Sequence, residues 1–102
     1  MLTYKQALML AEAWLRICVS VDVRILEEQV VKKPYGWVFF YQSTAFLSGD
    51  PHAELAGNAP LLVDRCEGEI RVTGTARRLS EYLAAYESTL PKARLEMALP
   101  RD

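Results

Sequence analysis

The hydrophobic residues near the N-terminus recur with the spacing of one helical face. The members of this face are Tyr4, Leu8, Ala11, Leu15 and Cys18. Thr3 is suited to the N-cap position, and Gln6 stands three residues further on, as in a capping box. The pattern predicts a helix over residues 3–18, and the width of its apolar face indicates burial against a sheet.

From Val21 onward, apolar and charged residues alternate, which is typical of a strand with one buried face. The alternation slips after Ile25, which indicates a bulge or a shifted register. Turn residues follow at 32–36, and every residue of the run 37–41 is apolar. The two segments are predicted to form a hairpin whose second strand is central in the sheet. Because this strand is apolar at every position, either both of its faces are covered or one face is a binding surface.

Residues 43–60 show no clear hydrophobic period. They contain two turn-type combinations, Gly-Asp-Pro at 49–51 and Gly-Asn at 57–58. The segment is therefore predicted to be a long loop. Because loops of this length are uncommon in compact domains and often functional, it is the first candidate for a binding surface.

The remaining segments predict a second hairpin and a second helix. An apolar run at 61–64 follows Pro60, and in the alternating run at 69–73 we expect Ile70 and Val72 to point inward. Helical spacing returns at 79–89 and stops at Pro91, and the following tail either adds one short helix or stays frayed. The predicted class is α+β: a small, mainly antiparallel four-stranded sheet with an N-terminal and a C-terminal helix packed on one face.

Composition bounds the class of protein. The 102 residues are predicted to form a single domain, with its core at about 3–89 and a tail at 90–102. Twelve basic and thirteen acidic residues give a net charge of −1, which argues against nucleic acid as a ligand. The longest uncharged run, 34–49, is shorter than the roughly 18 residues of a membrane span, and no signal-peptide pattern is visible. A cytoplasmic protein without a membrane span is expected.

Residues with catalytic or metal-binding potential are few. Asp50, His52 and Glu54 occupy alternate positions, so in an extended loop they would point the same way and offer ligands to a metal or a path to a proton. A metal needs a further ligand from elsewhere, and ordinary solvated loop residues are the favoured interpretation. With one histidine and two isolated cysteines, the chain is predicted to be non-enzymatic, with no cofactor and no metal.

Aromatic residues are the most suggestive feature. Tyr35, Trp37, Phe39 and Tyr41 share one face of the second predicted strand, while Val38 and Phe40 share the other. The pattern leaves open which face packs against the helices, and the remaining face would form an exposed patch of the kind found at interfaces. The candidate partner-binding residues are Trp37, Tyr41, Asp50, His52, Glu54 and Asn58.

Four segments carry a resemblance to a known family. They read PYGWVFFYQS at 34–43, LAGNAPLLVD at 55–64, VTGTA at 72–76 and EYL at 81–83, with a glycine at position 68. This ordered set resembles the YrhB-domain family of small bacterial proteins, which is also grouped as immunity protein 35 of polymorphic toxin systems. The resemblance extends from Thr3 to Glu87 and agrees with the predicted α+β fold.

The resemblance implies a non-enzymatic protein that binds a cognate toxin in a direct complex. The alternative that it implies is a small chaperone-like protein that binds unfolded clients. It carries over no catalytic residue, and the tail after Glu87 has no family pattern. The net charge of −1 disfavours a strongly basic nuclease as the toxin, and an uncovered sheet edge would support a homodimer.

Overall fold

The computed structural model describes residues 1–55 and 58–101 of the chain. Four helices and six strands lie in this part: α1 Tyr4–Cys18, β1 Val23–Ile25, β2 Val31–Lys33, β3 Gly36–Phe39, β4 Tyr41–Ser43, α2 Thr44–Leu47, β5 Leu61–Asp64, β6 Ile70–Val72, α3 Leu79–Glu87 and α4 Lys92–Leu95. Two short 3-10 turns, Glu27–Gln29 and Pro51–Ala53, complete the list. None of these helices is long and apolar enough to cross a membrane.

The strands form two antiparallel sheets, which confirms the α+β class. A four-stranded sheet has the order β2-β3-β5-β6, and β1 pairs with β4 in a separate two-stranded sheet. The predicted run 37–41 is therefore divided at Phe40, which pairs through its carbonyl with the N–H of Leu26 at 2.8 Å. The slip predicted after Ile25 is the 3-10 turn Glu27–Gln29, which shifts the register between the two sheets.

The two long helices cover opposite faces of the four-stranded sheet. Ala7, Ala11 and Leu15 of α1 pack with Trp37 and the other side chains of that face of β3 and β5. Leu83 and Tyr86 of α3 pack with the opposite face, which consists of Tyr35, Val38 and Leu62. The prediction that both helices share one face is wrong, because β3 and β5 are apolar on both sides and each side has to be covered.

The N-terminal helix begins as predicted. The Thr3 hydroxyl accepts the Gln6 N–H at 3.2 Å, and the Gln6 side chain accepts the Thr3 N–H at 2.9 Å, which completes the capping box. Alanine at positions 7 and 11 lets the helix lie close to the sheet, since both residues are fully buried. This fixes one face of the sheet as core and leaves the sheet edges and loops for other contacts.

Candidate functional site

The segment after β4 is tied to the sheet by side-chain hydrogen bonds. Ser43 caps α2, because its Oγ accepts the Phe46 N–H at 3.1 Å, and the same hydroxyl donates to the Ala53 carbonyl at 2.6 Å. The Gln42 Oε1 accepts the Leu55 N–H at 2.6 Å. In its described residues, 43–55 and 58–60, the predicted loop thus contains one helix and one 3-10 turn, which polar residues of β4 hold in place.

Three of the candidate partner-binding residues lie together on the surface of this segment. Asp50, His52 and Glu54 are exposed, and the Asp50 Oδ1 accepts the His52 N–H at 3.0 Å as the N-cap of the 3-10 turn. The turn differs from the extended conformation that the metal hypothesis requires. Within 1–55 and 58–101, no group of three His, Cys, Asp or Glu side chains could hold a metal ion.

The aromatic residues of β3 and β4 are buried. Trp37 and Phe39 are 0% exposed, and Tyr41 is 9% exposed. Tyr35, directly before β3, is 1% exposed. Burial raises the pKa of Tyr41. The expectation of an exposed aromatic patch is wrong, because helices cover both faces. The role of Trp37 and Tyr41 in partner binding stays a prediction that their burial disfavours.

Asn58 anchors the end of the segment. Its Nδ2 donates to the Tyr41 carbonyl at 2.7 Å, so the amide joins the segment to β4. The predicted Gly-Asn turn at 57–58 is described only at Asn58, because Gly57 lies outside the described residues. This hydrogen bond gives Asn58 a structural role, and its contact with a partner stays a prediction.

The sequence reading missed a buried ionic network at the end of β5. The Asp64 carboxylate is 3% exposed and accepts hydrogen bonds from the Tyr86 hydroxyl at 2.7 Å and the Arg94 guanidinium at 2.5 Å. It also accepts the backbone N–H of Cys66 at 2.8 Å, in the turn before β6. The signal for this network was an aspartate at the end of a wholly apolar strand, where a side chain on the Leu62 face had to be buried.

Opposing effects set the ionisation of this network. Burial by itself would raise the pKa of Asp64, but the hydrogen bonds from Tyr86, the Cys66 N–H and Arg94 outweigh it and lower the pKa below its ordinary value. Burial and the hydrogen bond to Asp64 raise the pKa of Tyr86. Burial by itself would lower the pKa of Arg94, but the hydrogen bond to Asp64 and the charge of that carboxylate outweigh it and raise the pKa. The network therefore joins a carboxylate, a neutral phenol and a guanidinium cation, and the Nε of Arg94 has no hydrogen-bond partner among the described residues.

A groove runs between β6 and α3. It encloses about 210 Å³ and is lined by Leu62, Arg71, Val72, Thr73, Tyr82, Ala85, Tyr86 and Thr89. The Arg71 guanidinium stands 5.1 Å from the centre of the Tyr86 ring, and Val72 is 51% exposed. The prediction that Ile70 points inward is confirmed, because Ile70 packs against the core on the α1 side of the sheet. The same prediction is wrong for Val72, which lies exposed at the rim of the groove.

The Tyr82 side of the groove is fixed by the loop that precedes α3. The Tyr82 hydroxyl accepts the backbone N–H groups of Ala76 at 3.1 Å and Arg77 at 3.2 Å. A Cβ at Gly74 would come within 2.4 Å of the Tyr82 phenol, so any larger residue there would require the ring to shift. The described surface therefore offers an exposed polar turn, a strand edge and an adjoining groove, which are features suited to binding another protein.

Comparison with known proteins identifies the family to which this chain belongs. The family model described as immunity protein 35 matches residues 5–88, from the first turn of α1 to the end of α3. The chain belongs to this immunity protein family, as its resemblance implied. It is also 39% identical over 88 residues to the "Uncharacterized protein YrhB" of Escherichia coli (strain K12), and the match covers 85% of this chain and 90% of that protein. No solved structure matches the chain.

Proposed function

We propose that this protein neutralises a cognate bacterial toxin by direct complex formation. The observation that carries the proposal is the match of the immunity protein 35 model to residues 5–88, which include both sheets and the helices that cover them. Membership supports an immunity role in general, and the partner of an immunity protein is a toxin protein. To this general role we add the proposal that neutralisation occurs through a direct complex with the toxin.

The described surface supports contact with a protein. Asp50, His52 and Glu54 project from a turn that Ser43 and Gln42 hold in place, so little conformational entropy is lost when they are bound. By contrast, the buried Asp64 carboxylate is already paired with Arg94 inside the fold. We propose the three exposed residues as toxin contacts.

We expect co-expression with the product of the adjacent gene to yield a stoichiometric complex in size exclusion and to restore growth of cells that make that product. The variant D50A/H52A/E54A should weaken the complex at least tenfold, because it removes the three proposed contacts, of which only Asp50 also has a structural role as the cap of the 3-10 turn. The control K92A/E96A alters an exposed ion pair of α4, outside the matched residues, and should bind as the wild type does.

The proposed function and the proposed toxin contacts are contradicted by two different results. The absence of both a complex and growth rescue would argue against the proposed function itself. A complex that forms with equal affinity in D50A/H52A/E54A would leave the function standing and would move the toxin contacts to another surface.

A second candidate, a chaperone-like protein that binds unfolded clients, is favoured by the outer side of α1. Met9 is 61% exposed and Ile17 is 83% exposed, and an apolar cleft formed by Leu2, Gln6, Met9, Leu10 and Ala13 adjoins them. Exposed apolar side chains are the feature that a holdase uses.

If this candidate is correct, the wild type should suppress aggregation of a heated client such as citrate synthase, and M9K/I17K should lose at least half of that effect. E12K is the matched control, because it changes the net charge of the same helix by the same amount and removes no apolar surface. Equal protection by M9K/I17K and E12K, or no protection by the wild type, would argue against the chaperone function.

A further inference from the structure

The last strand of the four-stranded sheet has an open edge. Strand β6 pairs with β5 alone, in the register Val63 to Ile70, Leu62 to Arg71 and Leu61 to Val72. The hydrogen bond from the Asp64 N–H to the Glu69 carbonyl, at 2.9 Å, identifies which of these pairs are hydrogen-bonded, since such pairs alternate in an antiparallel ladder.

The alternation places Arg71 in a hydrogen-bonded pair with Leu62. The backbone N–H and C=O groups of Ile70 and Val72 therefore point away from β5, toward the open edge. Among the described strands none pairs with this edge. Two donors and two acceptors, spaced as in a β-ladder, are thus available to a further strand.

The groove between β6 and α3 lies directly beside this edge. Its lining includes the apolar and aromatic side chains Leu62, Tyr82 and Tyr86. Side chains of an added strand would alternate, so every second one would enter the groove. A strand edge beside a helix-bordered groove is a recurring arrangement for binding an extended peptide.

The charge of the groove indicates the chemistry of the occupant. Arg71 lines the groove, and no acidic side chain of the described residues does so. Its ion-pair partner Glu69, 3.1 Å away, lies outside the lining. An acidic side chain opposite Arg71 and an apolar side chain two residues away would complement this surface.

A second copy of the chain fits the edge poorly. Antiparallel pairing of β6 with itself over its full length puts Arg71 opposite Arg71 of the other copy, and like charges directly opposite are destabilising. A three-residue strand also supplies far less than the roughly 800 Å² per partner of a stable interface. The toxin is the better occupant because the rest of its surface can contribute.

We propose that the toxin inserts an extended, acidic and apolar segment along β6 as a fifth strand of this sheet, with alternate side chains in the groove beside α3. The proposal rests on the proposed function and adds a second toxin contact to the turn of Asp50, His52 and Glu54. This contact is made by backbone groups of Ile70 and Val72, with Arg71 selecting for an acidic residue.

Amide hydrogen exchange on the full-length protein tests strand addition directly. In complex with the product of the adjacent gene, the amides of Ile70 and Val72 should exchange at least tenfold more slowly than in the unbound protein. The Lys32 amide is the internal control. It faces the open edge of β2 at the other end of the same sheet, because Lys32 pairs with Trp37, whose own backbone groups face β5.

Matched proline variants test the same contact by affinity. V72P removes an outward-facing N–H and should weaken the complex at least tenfold, whereas K32P removes the equivalent N–H at the opposite edge and should bind as the wild type does. R71E should weaken binding similarly, with K32E as its control. Circular dichroism of each variant establishes that the sheet is retained, and the exchange measurement on the wild type needs no variant to fold.

Each remaining outcome overturns the proposal in a different way. A complex in which Ile70 and Val72 exchange as in the unbound protein would overturn strand addition and leave the proposed function standing. Protection of these amides in the isolated protein that increases with its concentration would show a second copy at the edge. Absence of any complex would overturn the proposed function and strand addition together.

Discussion

Replacing Gly36 by alanine is expected to lower the free energy of unfolding by about 4 kcal/mol or more, which is most of the stability of a domain at the lower end of the ordinary range. A Cβ at this position would lie 2.0 Å from the Val63 carbonyl oxygen of the neighbouring strand. The strand cannot move aside, because β5 is paired on both edges and covered on both faces. Urea denaturation of both proteins measures the difference.

Gly49→Ala is the matched control for this substitution. Gly49 has φ +112°, which disfavours an L-residue, but no atom lies within 4 Å of a Cβ placed there. We expect a loss of only about 1–2 kcal/mol, from backbone strain alone. Equal losses in the two variants would show that backbone conformation, and not contact with the Val63 carbonyl, determines the requirement for glycine at 36.

The sequence predicted those parts of the fold in which local pattern and packing agree. Helix α1 and its capping box follow from Thr3, Gln6 and the apolar spacing, and β5 spans the predicted residues 61–64. In both cases the secondary structure is determined by residues that are close to one another in the sequence. The α+β class follows from the order of these elements.

Contacts between residues that are far apart in the sequence determine which faces of the sheet are covered and which strand lies at its edge. Apolar residues on both sides of β3 are compatible with two covered faces or with one covered and one exposed, and only the position of α3 distinguishes these arrangements. Trp37 therefore belongs to the core, although its residue type is typical of interfaces. The same holds for the open edge of β6, because an edge is a property of strand order and not of strand sequence.

Local pattern also could not reveal the contact between the tail and the sheet. Arg94 reaches Asp64 across thirty residues, and the Arg65 guanidinium donates to the carbonyls of Pro34 at 3.1 Å and Ala98 at 2.7 Å. These bonds hold α4, which lies outside the matched residues 5–88, against the end of β5. A charged residue near the C-terminus gives no sign in the sequence of the distant carboxylate that it pairs with.

Replacing Asp64 by asparagine is expected to lower the free energy of unfolding at pH 7 by about 3 kcal/mol, because the partly buried Arg94 guanidinium loses its buried counter-charge. The change keeps the shape of the side chain and one acceptor oxygen, so the cavity term is small. Hydrogen exchange should show the consequence locally as faster exchange of the backbone amides of α4, which Arg94 holds through Asp64. The exposed carboxylate Glu69 gives the control Glu69→Gln, for which a change within about 0.5 kcal/mol is expected.

The same substitution should change how stability depends on pH. The pKa of Asp64 is lower in the folded protein than its ordinary value of 3.8, so between these two values the unfolded chain binds more protons than the folded one. Stability from this carboxylate is therefore complete above its ordinary pKa and is lost as the pH falls through the folded value. Urea titrations at pH 7 and at pH 2.5 should show a large difference between wild type and Asp64→Asn at pH 7 and a smaller one in acid. If Asp64→Asn lowers the free energy of unfolding by the same amount at both pH values, the ionised carboxylate is not the source of the stabilisation. The contribution of Asp64 would then come from neutral hydrogen bonds and packing.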